Sequence, residues 1–295
     1  MKALLICPAA RSGLAALTAD TSPAILPLLG ETPLAYWLVH LAGLGAREVT
    51  VLAPDRPDDI RAVVDGGTRW GLRATVVPVP AELTVAEARA RYQGGDPAEW
   101  LPAPDDVVLL DHLPGLPRAG LFSSYAAWFS AAQAWMFRAL TPDRVGAHEI
   151  RPGVRVGLHS RIPDDAVLIP PCWIGEKVFL GAGVTIGPMT VVEDRVVVEA
   201  GAEITRSIVG PETLVGKLTE LTDSIAWGDC LINWRNGSSV RVTDDFLLSP
   251  LRERNTPPVA AGAAPWRLPR LWRPFPAALS PAGLFRKMTN ATDEN

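Results

Sequence analysis

Val178-Phe-Leu-Gly-Ala-Gly-Val184-Thr-Ile-Gly-Pro-Met-Thr190-Val-Val-Glu-Asp-Arg-Val196-Val-Val198 decides the fold. Within it an aliphatic residue returns every six positions, at Leu180, Ile186, Val192 and Val198. The row extends without a miss back through Ile174, Leu168 and Ile162 to Val156, and forward to Ile204. Two positions before each aliphatic stands a small or β-branched residue: Val154, Ser160, Ala166, Cys172, Val178, Val184, Thr190, Val196 and Ala202. Gly157, Gly175, Gly181 and Gly187 follow the aliphatic, and later Glu193 and Glu199 do. This spacing predicts a triangular coil whose faces are single hexapeptides, with the aliphatic stacked inward on its copies and glycine or a polar residue at the corner. Three hexapeptides close one coil, so the row supplies about three coils. An ordinary antiparallel strand set would show a period of two and irregular turns.

After Ile204 the pattern slips by one residue and continues. Ser207, Thr213, Thr219, Ile225 and Leu231 are expected in the small slot, and Val209, Val215, Leu221 and Trp227 in the aliphatic slot. Gly210, Gly216 and Gly228 are expected at corners, for about two more coils, before the repeat fades between Asn233 and Val242. The whole repeat resembles the left-handed parallel β-helix of hexapeptide-repeat proteins. The segments Ile204-Thr-Arg-Ser-Ile-Val-Gly210 and Thr222-Asp-Ser-Ile-Ala-Trp-Gly-Asp-Cys230 resemble rows of the C-terminal β-helix in bacterial nucleotide-sugar pyrophosphorylases. Those sugar-1-phosphate nucleotidyltransferases join a Rossmann-like α/β catalytic domain to such a helix. The resemblance implies that order of domains, a place in nucleotide-sugar or polysaccharide biosynthesis, and the transfer of a nucleotidyl group from a nucleoside triphosphate to a sugar 1-phosphate, with release of pyrophosphate.

Length and composition fit two cores. The chain has 295 residues, 48% hydrophobic and 20% charged, which is neither a disordered nor a fibrous composition. A net charge of −4 gives no electrostatic reason to expect nucleic acid as a partner. Cys7, Cys172 and Cys230 lack metal-ligand spacing and read as reduced thiols of a cytoplasmic protein. Met1-Lys-Ala-Leu-Leu-Ile-Cys7 is too short for a signal peptide and reads as a first buried strand. No apolar run reaches the length of a transmembrane segment.

Residues 1 to about 145 alternate strand and helix patterns. Strands are expected at Lys2–Cys7, Glu48–Ala53, Arg73–Val79 and Asp106–Leu110, with helices at Leu34–Leu44, Asp58–Val64, Val85–Tyr92 and Tyr125–Leu140. A parallel sheet binds ligands beyond the carboxyl ends of its strands, where the loop after Cys7 and Asp111 fall together. The β-helix is expected over residues 150–245 and a Pro/Trp/Arg-rich tail over 246–295.

The family's nucleotide loop reads A-A-G-x-G-T-R-L-x-P-L-T and is followed by K-P-hydrophobic-L-P and G-x-P-L. This chain has Ala9-Ala-Arg-Ser-Gly-Leu-Ala-Ala-Leu-Thr18, then Ser22-Pro-Ala-Ile-Leu-Pro27, then Gly30-Glu-Thr-Pro-Leu34. By resemblance Ala9, Ala10, Ser12 and Gly13 would face the nucleotide. The charges of the motif are missing: Arg11 replaces a glycine, Leu14 or Ala15 stands for the arginine, and Pro23 or Ala24 for the lysine. Joining two anions depends on such donors, and losing one typically costs about 10²–10³ in rate. Val107-Val-Leu-Leu-Asp111 resembles the strand whose aspartate holds Mg²⁺, although Leu109-Leu110 replaces Asn-Gly. Asp111 is therefore either a magnesium ligand or a strand-end carboxylate that caps the next turn. Gln93-Gly-Gly-Asp-Pro97 reads as a base-proximal segment or a solvated loop, and only about forty residues separate Asp111 from the solenoid, which shortens the sugar-binding half. Asp143 and Glu149 lie in that interval without a matching motif. The expectation is a diverged nucleotidyltransferase-like protein with little or no turnover, acting as a nucleotide-binding, regulatory or scaffold component.

An active pyrophosphorylase with an atypical site is one alternative. A second is a hexapeptide-repeat acyltransferase, for which His159 at a coil corner would be the general base; His40, His112 and His148 are less suitably placed. A homo-oligomer or a partner enzyme is expected to pack on the β-helix, with Trp173, Phe179, Trp227 and Trp234 as candidate contacts. In the tail, Trp266-Arg-Leu-Pro-Arg-Leu-Trp-Arg-Pro-Phe275 reads as a docking peptide, which either folds back or meets a membrane-associated glycosyltransferase.

Overall fold

The computed structural model describes residues 1–118, 120–138 and 147–251. Asp143, the end of the expected helix at Leu140, and the tail from residue 252 lie outside the described residues.

The first half is built on β1 (Lys2–Ile6), whose Ala-Leu-Leu-Ile run is buried throughout. It is flanked by β2 (Glu48–Ala53) and β4 (Val107–Leu109), and β3 (Arg73–Pro78) lies outside β2, giving the order β3-β2-β1-β4. All three pairings are parallel. A near-continuous apolar central strand is what a sheet covered on both faces requires. Helix α1 (Pro33–Gly43) starts at Thr32, whose hydroxyl accepts from the Ala35 amide at 3.1 Å, with Pro33 in the first turn. Helix α2 (Pro57–Val64) leads toward β3, and α3 (Val85–Tyr92) carries a reciprocal Thr84–Glu87 capping box. Helix α4 (Tyr125–Trp135) starts at the expected residue, capped by Ser124, and ends in a turn over residues 136–138, before the end its apolar pattern suggested.

From His148 onward the chain winds through three sheets of short strands, numbered here in chain order. The first sheet holds β5 (His148–Arg151), β6 (Val154–Val156), β8 (Cys172–Ile174), β11 (Thr190–Val192), β14 (Ile208–Val209), β17 (Ser224–Trp227), β18 (Cys230–Asn233) and β19 (Ser239–Arg241). The second holds β7 (Val167–Leu168), β10 (Thr185–Ile186), β13 (Glu203–Thr205) and β16 (Glu220–Thr222). The third holds β9 (Phe179–Leu180), β12 (Val197–Val198), β15 (Thr213–Val215) and β20 (Leu248–Pro250). Successive coils pair in parallel, as with Cys172↔Thr190, Val167↔Thr185 and Phe179↔Val197. This is the arrangement of a parallel β-helix. Its interior is the expected row: Ile174, Ile186, Val192, Val198 and Ile204 are fully buried, and on each face the copies stack coil on coil, Ile174 on Val192, Ile186 on Ile204 and Val198 on Val215.

The slip after Ile204 is a shortened corner at Arg206, and it recurs one coil later. Val209 pairs with Ala226, so Ala226 takes the inward slot, Ser224 the small slot, and Trp227 the corner beside Gly210. Ile225 and Trp227 are therefore each one position from the slots that a constant period of six assigned them. Arg206 and Asp223, both at positive φ like the residues of the full-length corners, stack as an ion pair at 2.7 Å that holds the second short corner above the first. Leu231 belongs to a closing antiparallel hairpin, β17-β18-β19, rather than to another coil. The last described strand, β20, pairs antiparallel with β15.

One hydrophobic cluster runs from the α/β part into the solenoid. The outward residues of the first sheet, Trp173, Val191, Ile208, Ile225 and Ile232, are all buried in it together with Trp128, Phe129 and Trp135 of α4. Trp234 stacks on Phe129 at 4.2 Å with planes 8° apart. Trp173 and Trp234 thus face the chain's own first half and do not offer the expected surface to an oligomer. Burial of such a side chain contributes about 1.5–3 kcal/mol, which makes this sheet the main joint of the molecule. Phe179, on the third sheet, remains exposed.

Candidate functional site

The strand order places a crossover on either side of β1, so the crevice where a ligand would sit lies beyond the carboxyl ends of β1 and β4. Two chain segments meet there: the loop after Cys7 and the segment that begins at Asp111.

The loop is closed by the chain itself. Glu82, in the connection between β3 and α3, accepts from the Ala9 amide at 2.8 Å and from the Arg11 guanidinium at 2.7 Å. A carboxylate therefore occupies the loop donor that the family resemblance assigns to phosphate. Ser12 opens a short 3₁₀ turn and is exposed, as is Ala10. Gly13 is pressed against the backbone: a Cβ there would stand 2.0 Å from the Ser123 carbonyl oxygen. Its role in this fold is close chain approach. The Ala16 amide donates to the Tyr125 hydroxyl at 3.0 Å, which ties the loop to the start of α4. Burial, with the charge of Glu82 second, raises the Cys7 thiol far above the usual range and leaves it unreactive.

Further along the same loop the chain makes a second internal anion contact. Leu28 and Glu31 bridge across a two-residue turn in which Leu29 and Gly30 have φ of 53° and 73°. Two successive left-handed residues define a type I′ turn and point their amides the same way. Both amides donate to Glu193, at 2.5 Å from Leu29 and 2.7 Å from Gly30. Glu193 stands at a coil corner of the solenoid and is 1% exposed.

Asp111 follows β4, and its Oδ1 lies 2.6 Å from Nδ1 of His112. Burial pushes the Asp111 carboxyl up, but the His112 hydrogen bond and the charges of His112 and Arg118 outweigh this and hold it below its ordinary value. Magnesium requires an octahedral oxygen set, commonly one or two carboxylates plus substrate phosphates. Asp111 offers one carboxylate, already engaged with His112. Among the described residues no group of three or more His, Cys, Asp or Glu gathers to support it. Among the described residues, Asp111 alone, with its carboxylate on His112, does not make a resident magnesium site.

His112 is 9% exposed and rigidly seated. Its carbonyl accepts from Trp37 Nε1 at 2.8 Å, and its ring meets the Trp37 ring edge-on at 5.0 Å. His112 borders a cavity of about 230 Å³ whose other walls include Leu113, Leu116, Leu121, Ala131 and Ala134. Sequence reading placed Asp111 at this crevice but gave no sign of Glu82, Glu193 or the cavity. Gln93 turns toward Asp106, which Arg89 also holds with three hydrogen bonds, so this pair fixes α3 on the sheet. Glu149 accepts from the Gly153 amide in the first solenoid turn. His159 is an exposed corner residue with φ of 61°, in a column continued by Lys177, Arg195 and Glu212. The structure brings Ala9 and Arg11 together with Glu82 and pairs Asp111 with His112; His159 belongs to neither group. No helix among the described residues is long and apolar enough to cross a membrane. No protein-family model matches the chain, and no curated protein matches it.

Proposed function

We propose that this chain is a diverged sugar-1-phosphate nucleotidyltransferase-like protein of the cytoplasm, a Rossmann-like domain followed by a left-handed parallel β-helix. In this reading it serves nucleotide-sugar or polysaccharide biosynthesis as a regulatory or scaffold component without pyrophosphorylase turnover. The observation that carries the reading is the Glu82 carboxylate seated on the Ala9 amide and Arg11. A phosphate oxygen approaching that loop meets a fixed anion, whereas catalysis of nucleotidyl transfer needs donors left open for the developing charge. The missing lysine and arginine of the loop motif support the same conclusion. A nucleotide or sugar phosphate remains the proposed ligand, reached by displacing Glu82. A homo-oligomer or partner enzyme would use the solenoid's third sheet, where Phe179 is exposed.

The test is pyrophosphate release by the full chain with magnesium, each nucleoside triphosphate and a panel of sugar 1-phosphates. The reading expects none above background. Turnover that Asp111→Ala abolishes would replace it with an active pyrophosphorylase. Acetyl transfer from acetyl-coenzyme A lost in His159→Ala would replace it with an acyltransferase.

A further inference from the structure

We infer that the cavity beside His112 is a binding site for a small, uncharged, ring-sized apolar molecule that carries one hydroxyl group. This goes beyond the reading above and does not depend on any phosphate chemistry.

Three observations carry it. The cavity measures about 230 Å³. A dry cavity of about 150 Å³ suffices for a benzene ring, so this one takes a ring with one or two substituents. Its walls are leucines, alanines and Pro117, with His112 and Ser130 as the polar exceptions. That is the composition of a small-molecule pocket, apolar with a few polar groups that fix orientation. Finally, His112 is nine-tenths buried, and its Nδ1 is committed to Asp111 at 2.6 Å. Nε2 is the ring's remaining polar atom, and in this inference it is the atom that meets the ligand.

The preference for a hydroxyl follows from that pairing. With Asp111 ionised, Nδ1 carries a proton and donates it to the carboxylate. Nε2 then accepts from a ligand hydroxyl when the imidazole is neutral and donates to it when the imidazole is charged. A hydroxyl satisfies both states. A ligand carboxylate would set a second anion close to Asp111 against apolar walls, which costs desolvation that nothing there offsets. Position adds weight: His112 lies three residues beyond the end of β4, at the carboxyl edge of a parallel sheet, where ligand sites of open α/β folds form.

The probe is p-cresol, titrated into the full chain and followed by tryptophan fluorescence and protein-observed NMR, with toluene and benzoate as comparisons. Saturable p-cresol binding is expected, with toluene about tenfold weaker for want of one hydrogen bond and benzoate without saturation. Ala134→Leu, which fills the cavity from the exposed side of α4, is expected to weaken p-cresol at least tenfold. His112→Leu should erase the difference between p-cresol and toluene. If His112→Leu fails to fold, Ala134→Leu decides alone. Absence of saturation at millimolar p-cresol, equal binding of p-cresol and benzoate, or unchanged affinity in Ala134→Leu would each overturn the inference.

Discussion

Replacing Glu82 by glutamine removes one charge and almost no volume, and it separates the two roles that the carboxylate plays. In the native loop it accepts a backbone amide at 2.8 Å and a guanidinium at 2.7 Å. Hydrogen bonds to charged groups contribute about 1.5–3 kcal/mol each when shielded. Here the Glu82 side chain is 20% exposed and Arg11 37%, so solvent screening reduces the combined contribution to about 1 kcal/mol. For a domain of this size the expected loss of melting temperature is about 2–4 °C. The ligand side is larger. Two like charges about 4 Å apart repel by about 4 kcal/mol at an effective dielectric of 20, and glutamine removes that opposition to an incoming phosphate while Arg11 stays. Even after screening, Glu82→Gln should bind inorganic pyrophosphate at least tenfold more tightly than the native chain. Scanning fluorimetry and isothermal titration at low salt read both quantities. The Arg11→Ala, Glu82→Gln double variant should lose the gain. Equal pyrophosphate affinity in native and Glu82→Gln proteins would refute the reasoning, because it would mean that the carboxylate does not stand where the ligand's charge goes.

Glu193→Ala leaves the Leu29 and Gly30 amides without their carboxylate, and buried unsatisfied donors cost about 1–3 kcal/mol each. A loss of about 3–5 kcal/mol is expected by urea denaturation, with Glu193→Gln recovering part of it because its carbonyl still accepts one bond. Asp111→Asn tests the lowered carboxyl. A folded-state value below the unfolded one of about 3.9 stabilises above that pH, and the contribution is lost as pH falls through the folded value. Native and Asp111→Asn proteins should therefore differ by about 1 kcal/mol from pH 7 to 5 and converge below about pH 4; a difference that grows on acidification would contradict the assignment.

The regular elements were legible because local chemistry sets them. Val85–Tyr92 begins with a capping box and Glu48–Ala53 is an apolar run between turns, and both have the boundaries that their sequence implies. The inward row of the solenoid was equally plain, since aliphatic residues at a fixed spacing have one way to stack. The second short corner was not, because Ile225-Ala-Trp227 is apolar at every position and hydropathy cannot choose which residue points inward. Stacking on the Arg206 corner made that choice. The outward column of the first sheet was legible in part. Trp173, Val191, Ile208 and Ile225 are apolar, while the equivalent Thr185, Glu203 and Glu220 of the second sheet are polar. The contrast separates the first sheet from the second but not from the third, whose outward Phe179, Val197 and Leu214 are apolar as well. Glu82 left no local trace, and Glu193 showed only as a break in the corner glycines; their partners, Arg11 and Leu29, lie 71 and 164 residues away. Their meaning exists only once the chain has folded.

Both anions act on the same loop, between β1 and α1, and this decides how the site behaves without ligand. Phosphate loops expose donors that a bound nucleotide satisfies. Here Glu82 satisfies one end and Glu193 the other, so the loop is ordered by the chain's own carboxylates. A phosphate ligand must compete with a tethered anion, whose local concentration is far above that of a free metabolite. The cavity beside His112 imposes no such exchange, for its ligand displaces only water from apolar walls. Salt therefore distinguishes the two. Pyrophosphate binding to the Glu82→Gln loop should weaken steeply with ionic strength as Arg11 is screened, whereas p-cresol binding should hold or strengthen in excluded salts such as sulfate.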